Sequence, residues 1–242
     1  MKASTDDLIR LRHLAFVGRV TASLSHEIKN TLAIISESSG LMGDLIEYTP
    51  PPAEWAPYPR LKTLLTSIAE QVQRSGNLVK RLNVFAHSMD EESVAIELND
   101  LLQQTTGLAQ RFARLREVHL ETELSSDPLN MRTDPFRIQQ TIFHLIEVSL
   151  ESAPKNSTVM VASRRHEGAA QVVVTDEATP REEWFRKQIQ APHSSSAENR
   201  EQSDPDLAVL GLTMAKLGGS IEAEGLHPQG NRVTLTFPLE NG

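Results

Sequence analysis

Two long helical repeats in the first third of the chain constrain its fold more than any other feature. In each repeat, apolar or small side chains recur in alternating steps of three and four residues, the seam of a helix that packs on other helices. The first seam is Leu14, Val17, Thr21, Leu24, Ile28, Thr31 and Ile35, and the second is Leu61, Leu65, Ile68, Val72, Ser75, Val79 and Leu82. Between them, residues 48–59 contain five prolines, which cannot continue a helix. The pattern predicts a helix over about Thr5–Glu47, a second helix after the prolines, and an antiparallel hairpin.

A single hairpin would leave much of each seam uncovered. Two copies of the chain could cover both seams by forming a four-helix bundle, so the sequence predicts a homodimer. The alternative is a two-helix arm that packs on its own C-terminal domain. Acidic residues 90–92 follow the second helix, and we predict a domain boundary there, with a helical domain over 1–90 and a second domain over 91–242.

Polar residues of the first helix lie on the side that faces away from the seam. His26 comes two residues before the seam residue Ile28, so its side chain should point to solvent. Asn30 follows one helical turn later on the same face. A histidine exposed on a rigid helix, next to the carboxylate of Glu27 and the amide of Asn30, indicates chemistry rather than core packing.

Gly18-Arg19-Val20 followed by Ser25-His26-Glu27-Ile28-Lys29-Asn30 resembles the H-box of the sensor histidine kinases of two-component systems. The resemblance implies that His26 accepts a phosphoryl group and that Glu27 orients the imidazole through its other ring nitrogen. Kinases that also dephosphorylate their response regulators carry a small polar residue at the position of Asn30, where it could hold a water molecule. The segment also begins like the His-Glu-x-x-His helix of zinc peptidases, but Asn30 replaces the second ligand, so no metal site is predicted.

Composition excludes several other classes. The net charge of −8 argues against a nucleic-acid partner, because phosphate backbones require a basic surface. There is no cysteine for disulfides or thiolate metal sites. No apolar run approaches the roughly 20 residues of a membrane span, and the N-terminus has no signal-peptide core. We therefore expect a cytoplasmic protein without a membrane span or an upstream sensor region.

The second half of the chain alternates strand-like and helix-like patterns, which predicts an α+β fold overall. Strands are predicted at 94–98, 118–124, 158–164, 170–175, 220–224 and 232–237. Helices are predicted from an Asn99 cap to Leu115, from Asp134-Pro135 to Pro154, and over 207–217. Residues 180–206 are polar and lack a pattern, and we expect 193–204 to be mobile.

This order resembles the ATP-binding α/β sandwich of histidine kinases, and the two resemblances together cover nearly the whole chain. In that family, asparagines of an N-box on the helix after Asp134-Pro135 supply oxygen to Mg²⁺. His144 and Val148 stand at those positions here. Valine has no oxygen, and Mg²⁺ requires oxygen ligands, although Glu147 could offer a carboxylate.

The two other nucleotide motifs also depart from the family pattern. In the Asp-x-Gly-x-Gly turn, Asp176 remains at the adenine-reading position, but Ala178 and Pro180 replace the glycines, which let a backbone pass close to a ligand. In the Gly-x-Gly-Leu turn before the last helix, this chain has Asp204-Pro205-Asp206-Leu207, whose carboxylates would repel a polyphosphate. An alternative alignment at Val209-Leu210-Gly211-Leu212 would shorten the last helix too far.

The sequence therefore predicts a histidine-kinase-like phosphotransferase, with His26, Glu27 and Asn30 as its catalytic residues. It would exchange phosphate between His26 and the aspartate of a response-regulator receiver domain, similar to the histidine phosphotransferases of phosphorelays, and could also act as a response-regulator phosphatase. Mg²⁺ would come from the receiver, and no cofactor is expected to bind tightly, with Asp176 and Glu147 as remnants of an ATP site. Two alternatives stay open, an ATP-dependent autokinase with an atypical site and a non-catalytic module that docks a receiver.

Overall fold

A computed structural model describes residues 5–48, 58–87, 93–190 and 205–239 of the chain. Its contacts divide the chain into two compact units. We call residues 17–87 the hairpin unit, and residues 88–242 together with residues 1–16 the C-terminal unit. The domain boundary predicted after residue 90 lies outside the described residues.

The hairpin unit consists of two long helices, as the seams predict. Helix α1 spans Thr5–Glu47 and helix α2 spans Tyr58–His87. The Oγ1 atom of Thr31 on α1 lies 2.6 Å from the Oγ atom of Ser75 on α2. Thr31 comes 16 residues before the end of α1 and Ser75 comes 17 residues after the start of α2, so the two helices run antiparallel.

A single hairpin covers its seams only in part. Leu24 and Leu61 are buried, with 4% and 6% of their surface exposed. By contrast, Leu65, Val72 and Val79 are 55%, 56% and 45% exposed. These three side chains follow one another at intervals of seven residues and lie along one side of α2. We call them the α2 stripe.

The start of α1 belongs to the C-terminal unit. Phe16 is 1% exposed, and its ring centroid lies 5.6 Å from that of Phe136 and 5.0 Å from that of Phe143. Phe112 meets the Phe143 ring edge-on at 5.4 Å. Leu14, a predicted seam residue, is 62% exposed in the single chain, and Phe16 takes the inward direction at this end of the helix.

Within the described residues of the C-terminal unit, seven strands form two sheets. They are β1 (Val94–Glu97), β2 (His119–Glu123), β3 (Asn130–Thr133), β4 (Thr158–His166), β5 (Ala169–Asp176), β6 (Ser220–Gly225) and β7 (Asn231–Pro238). Five of them form a sheet in the order β2-β4-β5-β7-β6. In this sheet β2 and β4 are parallel, and the other neighbours are antiparallel. Strands β1 and β3 pair separately as an antiparallel ribbon.

The part of this unit that the structure describes also contains the helices α3 (Leu98–Leu115), α4 (Pro135–Ser152), α5 (Glu182–Gln190) and α6 (Pro205–Lys216). Helix α4 contacts α3, α6 and strands β4 and β5, and it supplies much of the core. Asp134 caps it by accepting a hydrogen bond of 3.0 Å from the Arg137 backbone, and Pro135 is its first residue, as predicted. A helical region followed by a mixed sheet confirms the α+β class. None of the helices in the described ranges is long and apolar enough to cross a membrane.

Three local predictions in the C-terminal unit were wrong. The N-cap of α3 is Glu97, whose Oε2 accepts a hydrogen bond of 3.0 Å from the Asp100 backbone, whereas Asn99 lies inside the helix. The Asn99 side chain instead accepts a hydrogen bond from the Ser163 hydroxyl. Strand β3 and helix α5 lie in segments where the sequence predicted neither a strand nor a helix. The segment 193–204, predicted to be mobile, lies outside the described residues.

Candidate functional site

The segment around His26 lies on a regular part of α1. No glycine or proline occurs between Gly18 and Gly40, so the backbone keeps a continuous helix there. His26 and Asn30 are exposed and Glu27 is half-buried. The opposite side of the helix is buried, with Leu24 4% and Thr31 2% exposed. The exposure of His26 and Asn30 follows the prediction from the seam.

The structure places His26, Glu27 and Asn30 together on little more than one helical turn. Four residues of an α-helix rise about 6 Å, so the Asn30 amide lies one turn from the imidazole on the same face. An exposed imidazole offers a ring nitrogen as a nucleophile, and a nearby amide can donate to and accept from a water molecule. The catalytic roles of these residues stay predictions.

The N-box positions on α4 differ in their surroundings. Val148 is 4% exposed and belongs to the apolar core. His144 and Glu147 are half-buried, and the Nδ1 atom of His144 lies 3.9 Å from the Oε2 atom of Glu147. The carboxylate of Glu147 therefore lies close to the imidazole of His144, and the next residue in sequence, Val148, is apolar and buried.

Asp176, at the end of β5, is held inside the protein. It is 2% exposed, and its Oδ1 atom accepts hydrogen bonds from the Ala178 backbone at 3.0 Å and from the Asn231 side-chain amide at 2.9 Å. Asn231 also donates to the Thr179 carbonyl at 3.2 Å and accepts from the Arg181 backbone at 2.7 Å. The turn after β5 is thus tied to the start of β7.

Gly230 closes the same turn from the other side. Its backbone N–H donates to the Ala178 carbonyl at 2.7 Å, and its φ angle is +118°. A Cβ atom at Gly230 would lie 2.8 Å from the Asp176 carbonyl oxygen, so only glycine fits at this position. Ala178 itself is buried, with 2% of its surface exposed.

Arg181 follows this turn and joins it to two helices. Its guanidinium lies 4.9 Å from the ring centroid of Trp184 and 5.4 Å from that of Phe185 on α5. It also donates a hydrogen bond to the hydroxyl of Ser152 at the end of α4. The Ser152 hydroxyl in turn donates to the Val148 carbonyl at 2.9 Å. The rings of Trp184 and Phe185 therefore both lie against this cation.

Helix α6 decides between the two alignments of the third nucleotide motif. The helix begins at Pro205 and includes residues 209–212, so the turn that precedes it cannot lie at Val209-Leu210-Gly211-Leu212. The preferred alignment at Asp204-Pro205-Asp206-Leu207 agrees with the start of the helix. Asp204 and the side chain of Asp206 lie outside the described residues.

Several residues of these clusters had no signal in the sequence. Asn231 binds Asp176 across 55 residues of chain, and no local pattern connects the two. Thr31 and Ser75 were predicted as seam residues, but the sequence did not indicate that their hydroxyls meet across 44 residues. Within the described ranges, no group of three or more acidic or histidine side chains is placed to hold a metal ion.

Comparison with known proteins finds relatives along nearly the whole chain, although no family profile matches it. The sensor histidine kinase ZraS of Escherichia coli O157:H7 is 23% identical over 234 residues, which is 97% of this chain and 49% of that protein. Sporulation kinase B of Bacillus subtilis is 20% identical over 239 residues, 98% of this chain and 53% of that protein. The chain thus spans about half the length of the curated relatives it matches.

Solved structures of histidine kinases resemble part of the fold. The catalytic domain of histidine kinase ThkA superposes with a TM-score of 0.53 at 19% identity, covering 62% of this chain and 98% of that one. This likeness shows the fold of the α/β sandwich.

Proposed function

We propose that this chain, a homologue of the two-component sensor histidine kinases, transfers a phosphoryl group between His26 and the aspartate of a response-regulator receiver domain. The observation that carries the proposal is the exposure of His26 and Asn30 on one face of a regular helix, within the sequence His-Glu-Ile-Lys-Asn. An exposed nucleophile is accessible to a second protein, which a buried histidine would not be.

In the proposed transfer, a P–N bond to His26 replaces the P–O bond to the receiver's aspartate. A ring nitrogen of His26 attacks the phosphorus of the receiver's aspartyl phosphate, the new P–N bond forms as the P–O bond breaks, and the carboxylate leaves. Glu27 would accept a hydrogen bond from the other ring N–H and so stabilise the positive charge that develops on the imidazole. Mg²⁺ held by the receiver would neutralise the phosphoryl oxygens, since such transfers depend on positioning and charge neutralisation.

We further propose that the C-terminal unit binds ATP weakly or not at all. The residues at its Mg²⁺ position do not fit the ion, because Val148 is buried and carries no oxygen. The Oδ1 atom of Asp176 already accepts two hydrogen bonds from the protein itself. Asp204 and Asp206 add negative charge where relatives place glycine amides against phosphate.

We propose that the chain forms a homodimer through the hairpin unit. The α2 stripe is an apolar row seven residues apart that a single chain leaves half exposed. A second copy could cover it with its own stripe, because a two-fold interface places the same surface on both subunits.

Phosphotransfer is tested by mixing the purified chain with radiolabelled phosphorylated receiver domains from the same organism and following label on both proteins. We expect acid-labile label on wild-type chain and none on His26→Gln. Self-labelling of the chain from ATP would instead support an ATP-dependent autokinase. That activity is the second candidate because the relatives are kinases and Asp176 is retained. If the wild type neither takes up label nor speeds receiver dephosphorylation, the catalytic proposal fails and a receiver-docking module is left.

A further inference from the structure

A pair of hydroxyl groups links the two helices of the hairpin unit beside the candidate site. The Oγ1 atom of Thr31 lies 2.6 Å from the Oγ atom of Ser75, and Thr31 is 2% exposed. Both residues occupy seam positions, where the repeat otherwise favours apolar side chains. A buried hydroxyl that loses its partner destabilises the fold, so the two helices are held in the register that keeps this contact.

The number of hydroxyl protons determines which residue is the donor in each hydrogen bond. The Thr31 hydroxyl also lies 2.8 Å from the backbone carbonyl oxygen of Ile28, which can only accept. A hydroxyl has one proton to donate. Thr31 therefore donates to the Ile28 carbonyl, and Ser75 donates to Thr31. These two hydrogen bonds connect α2 to the backbone of α1.

The hydrogen bond from Thr31 ends at the Ile28 carbonyl, in the part of α1 that carries the candidate site. Ile28 lies midway between His26 and Asn30 in sequence. Thr31 follows His26 by five residues, about 140° around the helix, so the pair fixes the inward side while the imidazole points outward. A polar contact in an otherwise apolar seam specifies register better than apolar contacts, which tolerate sliding and rotation.

Small rotations of α1 would matter for chemistry. An α-helix with its side chains is roughly 10–12 Å across, which places the imidazole about 5–6 Å from the axis. A rotation of about 20° would move it by about 2 Å, and a misplacement of about 1 Å can lower a rate by about a hundredfold.

We propose that Thr31 and Ser75 are positioning residues for phosphoryl transfer at His26. They set the rotation and axial register of α1 against α2 through the carbonyl of Ile28. This inference rests on the proposed phosphotransfer function. The two hydroxyls should affect the rate of transfer in the bound complex but not receiver docking. Both are directed into the hairpin, and neither is part of the exposed face that carries His26.

The test uses the full-length chain and a receiver domain selected because it exchanges label with the wild type. Thr31→Val keeps the shape and removes the hydroxyl, Ser75→Ala removes its partner, and Thr31→Ser retains the hydrogen bond. Thr66→Val is the matched control, because the Thr66 hydroxyl is exposed and bonds only its own helix, to the Lys62 carbonyl at 3.0 Å. Circular dichroism and thermal unfolding first establish that each variant is folded at the assay temperature.

We expect Thr31→Val and Ser75→Ala each to lower the maximal rate of label transfer by about tenfold or more. The receiver concentration at half-maximal rate should change by less than about twofold, because docking is unaffected. The double variant should be little worse than either single variant, since both remove the same contact. Thr31→Ser and Thr66→Val should transfer at wild-type rates.

Wild-type rates in folded Thr31→Val and Ser75→Ala would overturn the positioning role and leave the proposed function intact. Failure of Thr31→Ser to restore the rate, or a loss that follows thermal stability alone, would also overturn it. If no receiver exchanges label with the wild type, the proposed function itself fails and this inference with it.

Discussion

The side-chain amide of Asn231 donates a hydrogen bond of 2.9 Å to the buried carboxylate of Asp176. The sequence predicts Asp176 as the remnant of an adenine-reading residue. Buried carboxylates require hydrogen bonds from their surroundings, and here the protein supplies them itself, from Asn231 and from the Ala178 backbone. We infer that Asp176 now connects the end of β5 to the start of β7.

Asn231→Ala should therefore destabilise the C-terminal unit. It removes one of two hydrogen bonds to a carboxylate with 2% exposure and takes away the acceptor of the Arg181 N–H, and we expect a loss of about 1–3 kcal/mol in the free energy of unfolding. Chemical denaturation followed by circular dichroism measures this loss. Asn130→Ala is the control, an exposed asparagine in β3 whose replacement should change stability by less than about 0.5 kcal/mol. Equal midpoints for the two variants would show that the Asp176 contact contributes no stability.

ATP and ADP should not bind stoichiometrically at millimolar Mg²⁺. The reasons are the buried Val148 at the metal position and the internal hydrogen bonds of Asp176. Calorimetric titration should give no saturable heat. Thermal unfolding provides an independent measurement, since a dissociation constant of about 10 µM would add about 2.7 kcal/mol of stability at about 1 mM nucleotide. Micromolar affinity together with labelling of His26 would restore the autokinase.

Much of the hairpin unit could be predicted because its determinants are local. The proline-rich sequence 48–59 separates the two helical repeats, and the observed bounds of α1 match the prediction, although Pro59 already belongs to the first turn of α2. The exposure of His26 follows from its angular distance to Leu24 and Ile28 on a 3.6-residue period. A helical repeat fixes which side chains share a face, without any knowledge of what packs on it.

Contacts between distant segments could not be predicted. Asn99 is a good capping residue by type, yet Glu97 takes that place because its other oxygen also accepts a hydrogen bond of 2.9 Å from the Leu129 backbone. Phe16 interrupts the expected seam because it packs against the rings of Phe136 and Phe143 on α4. In both cases the tertiary environment overrides the local preference.

Replacing Phe16 tests whether the start of α1 stabilises the C-terminal unit. Phe16→Ala removes a ring that is 1% exposed and contacts Phe136 and Phe143, so we expect a loss of about 3–5 kcal/mol in the free energy of unfolding. Leu14→Ala, on the same helix but 62% exposed, should be nearly neutral. Denaturation curves of the two variants give the comparison. Similar small losses in both would mean that the Phe16 contacts do not persist in solution.

The proposed dimer predicts a strong effect of charge on the α2 stripe. Val72 is 56% exposed in one chain and would be buried between two, where an unpaired carboxylate costs several kcal/mol. Val72→Glu should therefore be monomeric at micromolar concentration, whereas Gln73→Glu, an exposed neighbour, should remain dimeric. Light scattering after size-exclusion chromatography gives the masses. A monomeric wild type at that concentration would contradict the four-helix bundle.

The last prediction separates transfer from phosphatase activity at Asn30. Asn30 is exposed one helical turn from His26, where its amide could hold a water molecule in line with the receiver's aspartyl phosphate. Water held in that orientation gains the advantage of an intramolecular reactant, so Asn30→Ala should slow loss of phosphate from the receiver by about tenfold or more. Transfer to and from His26 should be spared, because it needs no water molecule.

His26→Gln provides the complementary variant, which should abolish transfer and leave receiver docking intact. Ser36→Ala, at an exposed position further along α1, should behave as wild type in both reactions. Following label on His26 and on the receiver in the same time course distinguishes the two activities for each variant. Equal receiver dephosphorylation by the wild type and Asn30→Ala would mean that Asn30 has no catalytic part. Its amide would then be a surface group of the helix.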